Sequence, residues 1–149
     1  MRTKITDLTK RPPRSPRVRL GGYALLPRLL DKGRATVAGK NGEYNFNCPV
    51  DKRFFEFVGV TAEGVKEQLA AGKGDLEVLE WIQANAVHQH SLEEIAAWSA
   101  AQEQRAPEDE DSRQFFQDTL NKLNPARKDV RTWADLLDLD DYVSFGGKP

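Results

Sequence analysis

Apolar residues recur along this chain at the three-and-four spacing of helices, in short runs separated by Pro, Gly and capping residues. Leu25, Leu26, Leu29 and Leu30 share one helical face. Pro27 suits the first turn of a helix that starts near Tyr23, because first-turn amides have no intrahelical partner. Gly33 or Gly39 would end that helix. Gly39-Lys40-Asn41-Gly42 is the strongest turn signal, and Tyr44 and Phe46 alternate with polar residues after it. A short hairpin is therefore expected near residues 36–48, with any strand confined there.

The remaining runs read as helices. Pro49 opens one through Phe54, Phe55 and Phe57, and Gly59 closes it. Thr61 caps a segment carrying Ala62, Val65 and Leu69, which Gly72 ends. Asp75 is expected to cap the next, where Leu76, Leu79, Ile82 and Ala86 share a face. Ser91 and Glu94 have capping-box spacing and open a helix bearing Ile95 and Trp98. Pro107 breaks the chain, and the acidic run Glu108–Asp111 favours a helix N-terminus. Phe116, Leu120 and Leu123 continue that helix to Asn124-Pro125, and Thr132 caps a last one with Trp133, Leu136 and Leu137. The fold class is all-α: an irregular bundle of six or seven short helices. Trp81, Trp98 and Trp133 fall at helical spacing and read as core anchors.

Composition adds an asymmetry. The 149 residues carry a net charge of −1, but residues 1–40 hold eleven Lys and Arg against Asp7 and Asp31, a net +9. Residues 41–149 hold eleven basic residues against twenty-one acids, a net −10. Residues 1–20 read as a basic Pro/Arg-rich arm, since Pro12, Pro13 and Pro16 forbid regular helix. Residues 21–149 read as a single helical domain. The arm either folds back on its own acidic body or meets an anionic partner. No apolar stretch is long enough to span a bilayer, and no signal-peptide core follows the basic N-terminus. A lone Cys48 gives no internal disulfide, so the chain is read as cytoplasmic.

Some of these runs carry a resemblance. Leu8–Arg17, Leu20-Gly21-Gly22-Tyr23 and Leu26-Pro27-Arg28 are similar to a known pattern, as are Tyr44, Cys48-Pro49-Val50-Asp51 and Phe54-Phe55. Glu80-Trp81-Ile82 and the ending Trp133–Asp141 fit it too. Together they resemble the bacterial domain-of-unknown-function family number 5069. The resemblance implies a small bacterial protein that is all one domain. It implies no activity, cofactor or catalytic residue.

Three constellations carry candidate chemistry. Arg14, Arg17 and Arg19 beside Gly21 and Gly22 form a candidate anion site, since guanidiniums and free helix-start amides both attract negative charge. No Gly-Lys-Ser/Thr follows, so it is not a phosphate loop. Cys48 is a weak thiol candidate, placed before a helix-opening proline with Lys52 and Arg53 nearby. The thiol reading needs a base, and only His88 and His90 are available; a core or helix-start role is the plainer expectation. His88-Gln89-His90 has no third ligand marked nearby, so no metal is expected. The acids Asp135, Asp138, Asp140 and Asp141 lack calcium-loop spacing and read as a solvated face.

The sequence thus points to a small non-enzymatic binding module whose basic arm and first helix meet an anionic partner. That partner is an anionic small molecule or an acidic protein surface; nucleic acid is disfavoured by the acidic body, and no membrane is expected. The alternative is a small enzyme or a phosphate or carboxylate binder built around Arg14, Arg17, Cys48 and Asp51. No cofactor and no catalytic residue is indicated, and the oligomeric state is left open.

Overall fold

Leu26, Leu29 and Leu30 are fully buried, and every residue from 26 to 35 of the helix that carries them, α1 (Leu26–Val37), is buried. The computed structural model describes residues 5–149 and contains seven helices among them. The others are α2 (Pro49–Val58), α3 (Ala62–Ala70), α4 (Asp75–Asn85), α5 (Leu92–Gln104), α6 (Glu110–Leu123) and α7 (Trp133–Ser144). The fold is mainly α, as the periodicity predicts.

The strands lie elsewhere than expected. Residues 36 and 37, which would supply one side of a hairpin at 36–48, are the last residues of α1, and residues 38–48 form turns. The ladder is instead β1 (Arg19–Leu20) against β2 (Tyr23–Ala24), with Arg19 opposite Ala24 and Leu20 opposite Tyr23. Gly21 and Gly22 take φ of 60° and 86°, the two positive values that a tight two-residue hairpin demands. Buried Ser99 of α5 holds this hairpin. Its hydroxyl accepts from the Ala24 amide at 2.8 Å and donates to the Gly22 carbonyl at 2.6 Å.

The hairpin also delays the first helix. Leu25 adopts a left-handed conformation (φ 72°) as N-cap, so α1 begins at Leu26 and not near Tyr23. Gly33 does not end it. A Cβ there would lie 2.4 Å from Leu69 and 3.1 Å from Phe46, so this glycine lets α3 and the 41–48 turn close onto α1.

The caps follow the sequence more closely. Pro49 opens α2 and Gly59 closes it in the left-handed conformation. Thr61, Ser91, Asp109 and Thr132 each accept a hydrogen bond from a first-turn amide. Gly74, not Asp75, is the N-cap of α4, because the Asp75 carboxylate is taken by Arg14 and Arg34. Leu76 is exposed, and Val78 takes the core position beside Leu79 and Ile82.

Two apolar clusters result. The larger gathers α1–α5, with Tyr23, Phe54, Val65 and Ile82 among its members; the smaller joins Phe116 and Leu120 of α6 to Leu136 and Leu139 of α7. The three tryptophans are half-buried at the edges of these clusters. Among the described residues no helix is long and apolar enough to cross a membrane.

Candidate functional site

A helix buried along its length is ordinarily apolar all round. α1 is not: Arg28, Asp31, Lys32 and Arg34 are all buried. Burying an unpaired charge is prohibitive, so each must meet an opposite charge. On an ideal helix these residues fall on two flanks about a third of a turn apart, Arg28 with Lys32 and Asp31 with Arg34.

The Asp31–Arg34 flank is closed by the arm. Arg14 donates to both oxygens of Asp31 (Nε at 3.0 Å, Nη2 at 2.9 Å) and to Asp75 at 2.7 Å. Arg34 reaches the other oxygen of Asp75 at 2.8 Å. Burial alone would raise the Asp75 carboxyl, but the hydrogen bonds from Arg14 and Arg34 outweigh it and hold it below its ordinary value. Farther along the arm, Arg17 grips Asp135 and Asp138 of α7, and Arg19 pairs with Glu103 of α5 at 3.1 Å.

The guanidiniums of the expected anion site are therefore held by carboxylates of the same chain. Its glycines are exposed, but neither has free space for a side chain. A Cβ on Gly21 would meet Leu79 at 2.8 Å, and one on Gly22 would meet Ile95 at 3.2 Å.

The Arg28–Lys32 flank faces a cavity of about 520 Å³, within the range of small-ligand sites. Its walls come from α1, the 42–48 turn, the start of α2 and the second half of α7. Arg28 donates to Asp141 at 2.7 Å, and the Tyr44 hydroxyl donates to the same carboxylate at 2.7 Å. The Arg28 guanidinium also lies 5.6 Å from the centre of the Tyr44 ring, within cation–π reach. Burial, and then the hydrogen bond to Asp141, push the Tyr44 phenol well above its ordinary value, so it stays a protonated donor.

One turn along α1, Lys32 donates to Asp51 at 2.9 Å and to the Cys48 sulfur at 3.3 Å. The second Asp51 oxygen accepts from the Asn47 amide at 2.9 Å. Asn47 takes a left-handed φ of 62°, which brings its amide back to the helix start. Cys48 is the N-cap residue of α2, half-buried on the cavity wall, and its side chain caps no amide.

Of the four residues grouped around Cys48 in the sequence, the structure brings Cys48 and Asp51 to this cavity. Arg14 and Arg17 do not line it. The histidines serve elsewhere. His90 stacks on Phe57 at 3.8 Å and bonds its carbonyl at 2.8 Å, at the far end of α2, about 15 Å from the helix start that Cys48 caps. The expected solvated face of C-terminal acids is corrected at three of its four residues: Asp141 is buried against Arg28, and Asp135 and Asp138 bind the arm. Among these acids Asp140 stands exposed at the cavity mouth. Burial against the wall, and then the neighbouring Asp141 charge, raise its carboxyl above the ordinary value.

Arg28, Lys32 and Tyr44 were missed as site residues. Their one sequence signal was the i, i+4 pairing of two cations inside a run of leucines, where a solvated stripe is the usual reading.

A family model described as "Domain of unknown function (DUF5069)" matches residues 10–143. The chain belongs to that family. No curated protein matches the sequence.

Proposed function

We propose that this DUF5069 protein binds a small organic molecule in the cavity between α1 and α7. One observation carries the reading: two buried ion pairs, Arg28–Asp141 and Lys32–Asp51, form part of the wall of an open cavity of about 520 Å³. Apolar residues of similar volume would serve stability at least as well as a buried pair. Polar groups held rigidly beside the apolar walls of Leu8, Leu25 and Val50 are what a ligand site needs for orientation. The reading of the arm and first helix as a surface for an anionic partner has less support. The residues of α1 are buried from 26 to 35, and Arg14, Arg17 and Arg19 already hold acids of the same chain.

Cys48 provides the assay. A small thiol reagent is expected to label it in the native protein, because it lines the cavity and is half-buried. Fragments that bind should slow this labelling and shift backbone amide resonances of residues 42–51 and 137–145. Val50→Trp, which fills the wall from a half-buried position, should abolish both effects while the fold persists. Fragments that shift only other residues, or a Val50→Trp protein that still protects Cys48, would refute the proposal.

A further inference from the structure

The charges around the cavity do not balance, and the imbalance has a sign. Two cations line it, Arg28 and Lys32, against four carboxylates: Glu43, Asp51, Asp140 and Asp141. Both cations are engaged, Arg28 by Asp141 and Lys32 by Asp51. Among the described residues no cationic side chain pairs with Asp140 or Glu43 within ion-pair distance. The charge left over is negative, and it sits at the mouth, where Glu43 and Asp140 are exposed.

A low-dielectric wall focuses such a field into the cavity. An incoming carboxylate or phosphate would have to displace an internal acid from Arg28 or Lys32, leaving that acid buried without its partner. A neutral group meets no such conflict, and a cation gains. The rest of the wall is largely apolar, from Leu8, Leu25, Val50, Leu137 and Phe145. The complement of this arrangement is a compact apolar body with one positively charged end.

We infer that the ligand of this cavity is a small organic amine, its ammonium held at the mouth by Asp140 and its apolar part lodged against Leu25, Val50 and Leu137. This rests on the cavity being a ligand site, and it reverses the sign of the partner that the basic N-terminal segment suggests. Asp140 is the specificity determinant. Asp141 cannot take that role alone, because its oxygens already accept from Arg28 and Tyr44.

Three probes with the same phenylethyl body separate the outcomes: phenethylamine, 2-phenylethanol and 3-phenylpropionate, titrated while following the amide resonances of residues 42–51 and 137–145. The amine should bind at least tenfold more tightly than the alcohol, and the carboxylate more weakly than either. Asp140→Asn should bring the amine to the level of the alcohol and leave the alcohol unchanged. Asp140 is exposed, so this variant should fold. An alcohol that binds as well as the amine, a carboxylate that binds best, or an amine preference that survives Asp140→Asn overturns the inference and leaves the cavity a ligand site. Probes that shift no residue of either segment overturn it too, and a fragment set that also misses these segments removes the underlying proposal.

Discussion

The two polar flanks of α1 use the same chemistry to different ends. On one, Arg14, Asp31, Arg34 and Asp75 match two cations with two acids, each charge facing its opposite, with only the Arg34 Nε left without a hydrogen-bond partner. On the other, Arg28 and Lys32 are matched by Asp141 and Asp51, but the set continues outward into Tyr44, Cys48, Asp140 and Glu43 around an open cavity. A closed network fastens one segment to another: here it pins the arm to α1 and α4. An open one retains donors, acceptors and an unmatched charge at a place where a molecule fits. Empty volume does not separate the flanks, since Arg14, Asp31, Arg34 and Asp75 also border a cleft of about 690 Å³ whose charges balance; the charge left over beside the cavity is what sets the second flank apart.

The largest effect should come from breaking the open flank at its deepest pair. Asp141→Asn leaves the Arg28 guanidinium, whose side chain is only 7% exposed, without its counter-charge. Removing one partner of a buried pair typically costs about 3–5 kcal/mol. Asp75→Asn on the closed flank should cost less, about 1–2 kcal/mol, because Arg14 keeps both oxygens of Asp31 and Arg34 stays within 4.0 Å of it. Urea denaturation of both variants checks the ranking. Equal losses would mean that the flanks do not differ in burial of charge as described.

A middle-sized effect belongs to the arm. The Arg14 side chain is 37% exposed, so its ion pairs are worth only about 1 kcal/mol after solvent screening. Arg14→Ala should destabilise by that amount at low salt and by less at 1 M salt, where screening weakens the contacts of the parent. Asp141→Asn should be nearly indifferent to salt, since its pair is shielded from mobile ions. Thermal melts at two salt concentrations separate the flanks by this contrast alone.

Much of the frame was legible because local chemistry decides it. Pro49 and Gly59 bound α2, and Thr61, Ser91 and Thr132 each take the N-cap role that their spacing indicates. Where tertiary contacts decide, the reading failed. Leu20-Gly21-Gly22-Tyr23 holds a two-residue hairpin signal, yet strands of two residues leave almost no alternation to detect, and Ser99, 77 residues away from Gly22, supplies the anchor. Gly33 resembles a helix stop, but it is a point of close approach for Leu69. The cavity was legible only in part. Cys48 and Asp51 are three residues apart and sit at one helix start, whereas Asp141 lies 113 residues from Arg28. Four charges in a leucine-rich helix also look the same on paper whether they face solvent or one another. Which carboxylate answers which cation is a property of the packing.

The smallest expected effect has the opposite sign and tests the unmatched charge directly. Asp75 is held below its ordinary value, so its contribution is full above the usual carboxylate range and is lost as pH falls through the lowered value. Asp140 is raised, so the folded chain holds that proton more tightly than the unfolded chain does. Its contribution favours folding at low pH and is lost as pH rises through the raised value. The groups that act on it are Asp141, which repels its charge, Arg28, which partly offsets that repulsion, and the Ser144 hydroxyl, whose hydrogen bond also favours the ionised form. At neutral pH the ionised Asp140 is therefore a mild burden on the fold, and Asp140→Asn should stabilise the protein by about 0.5 kcal/mol or less. Below the ordinary carboxylate range the parent carries a protonated, uncharged group there in both states, and the advantage of the variant should vanish. Paired urea curves for parent and Asp140→Asn at pH 7 and at pH 3 isolate this difference, because the acid loss from Asp75 is common to both. A variant that is less stable than the parent at pH 7 would show that Asp140 has a cationic partner besides the Ser144 hydroxyl. The second flank would then be as closed as the first, and no charge would be left at the mouth for a ligand to meet.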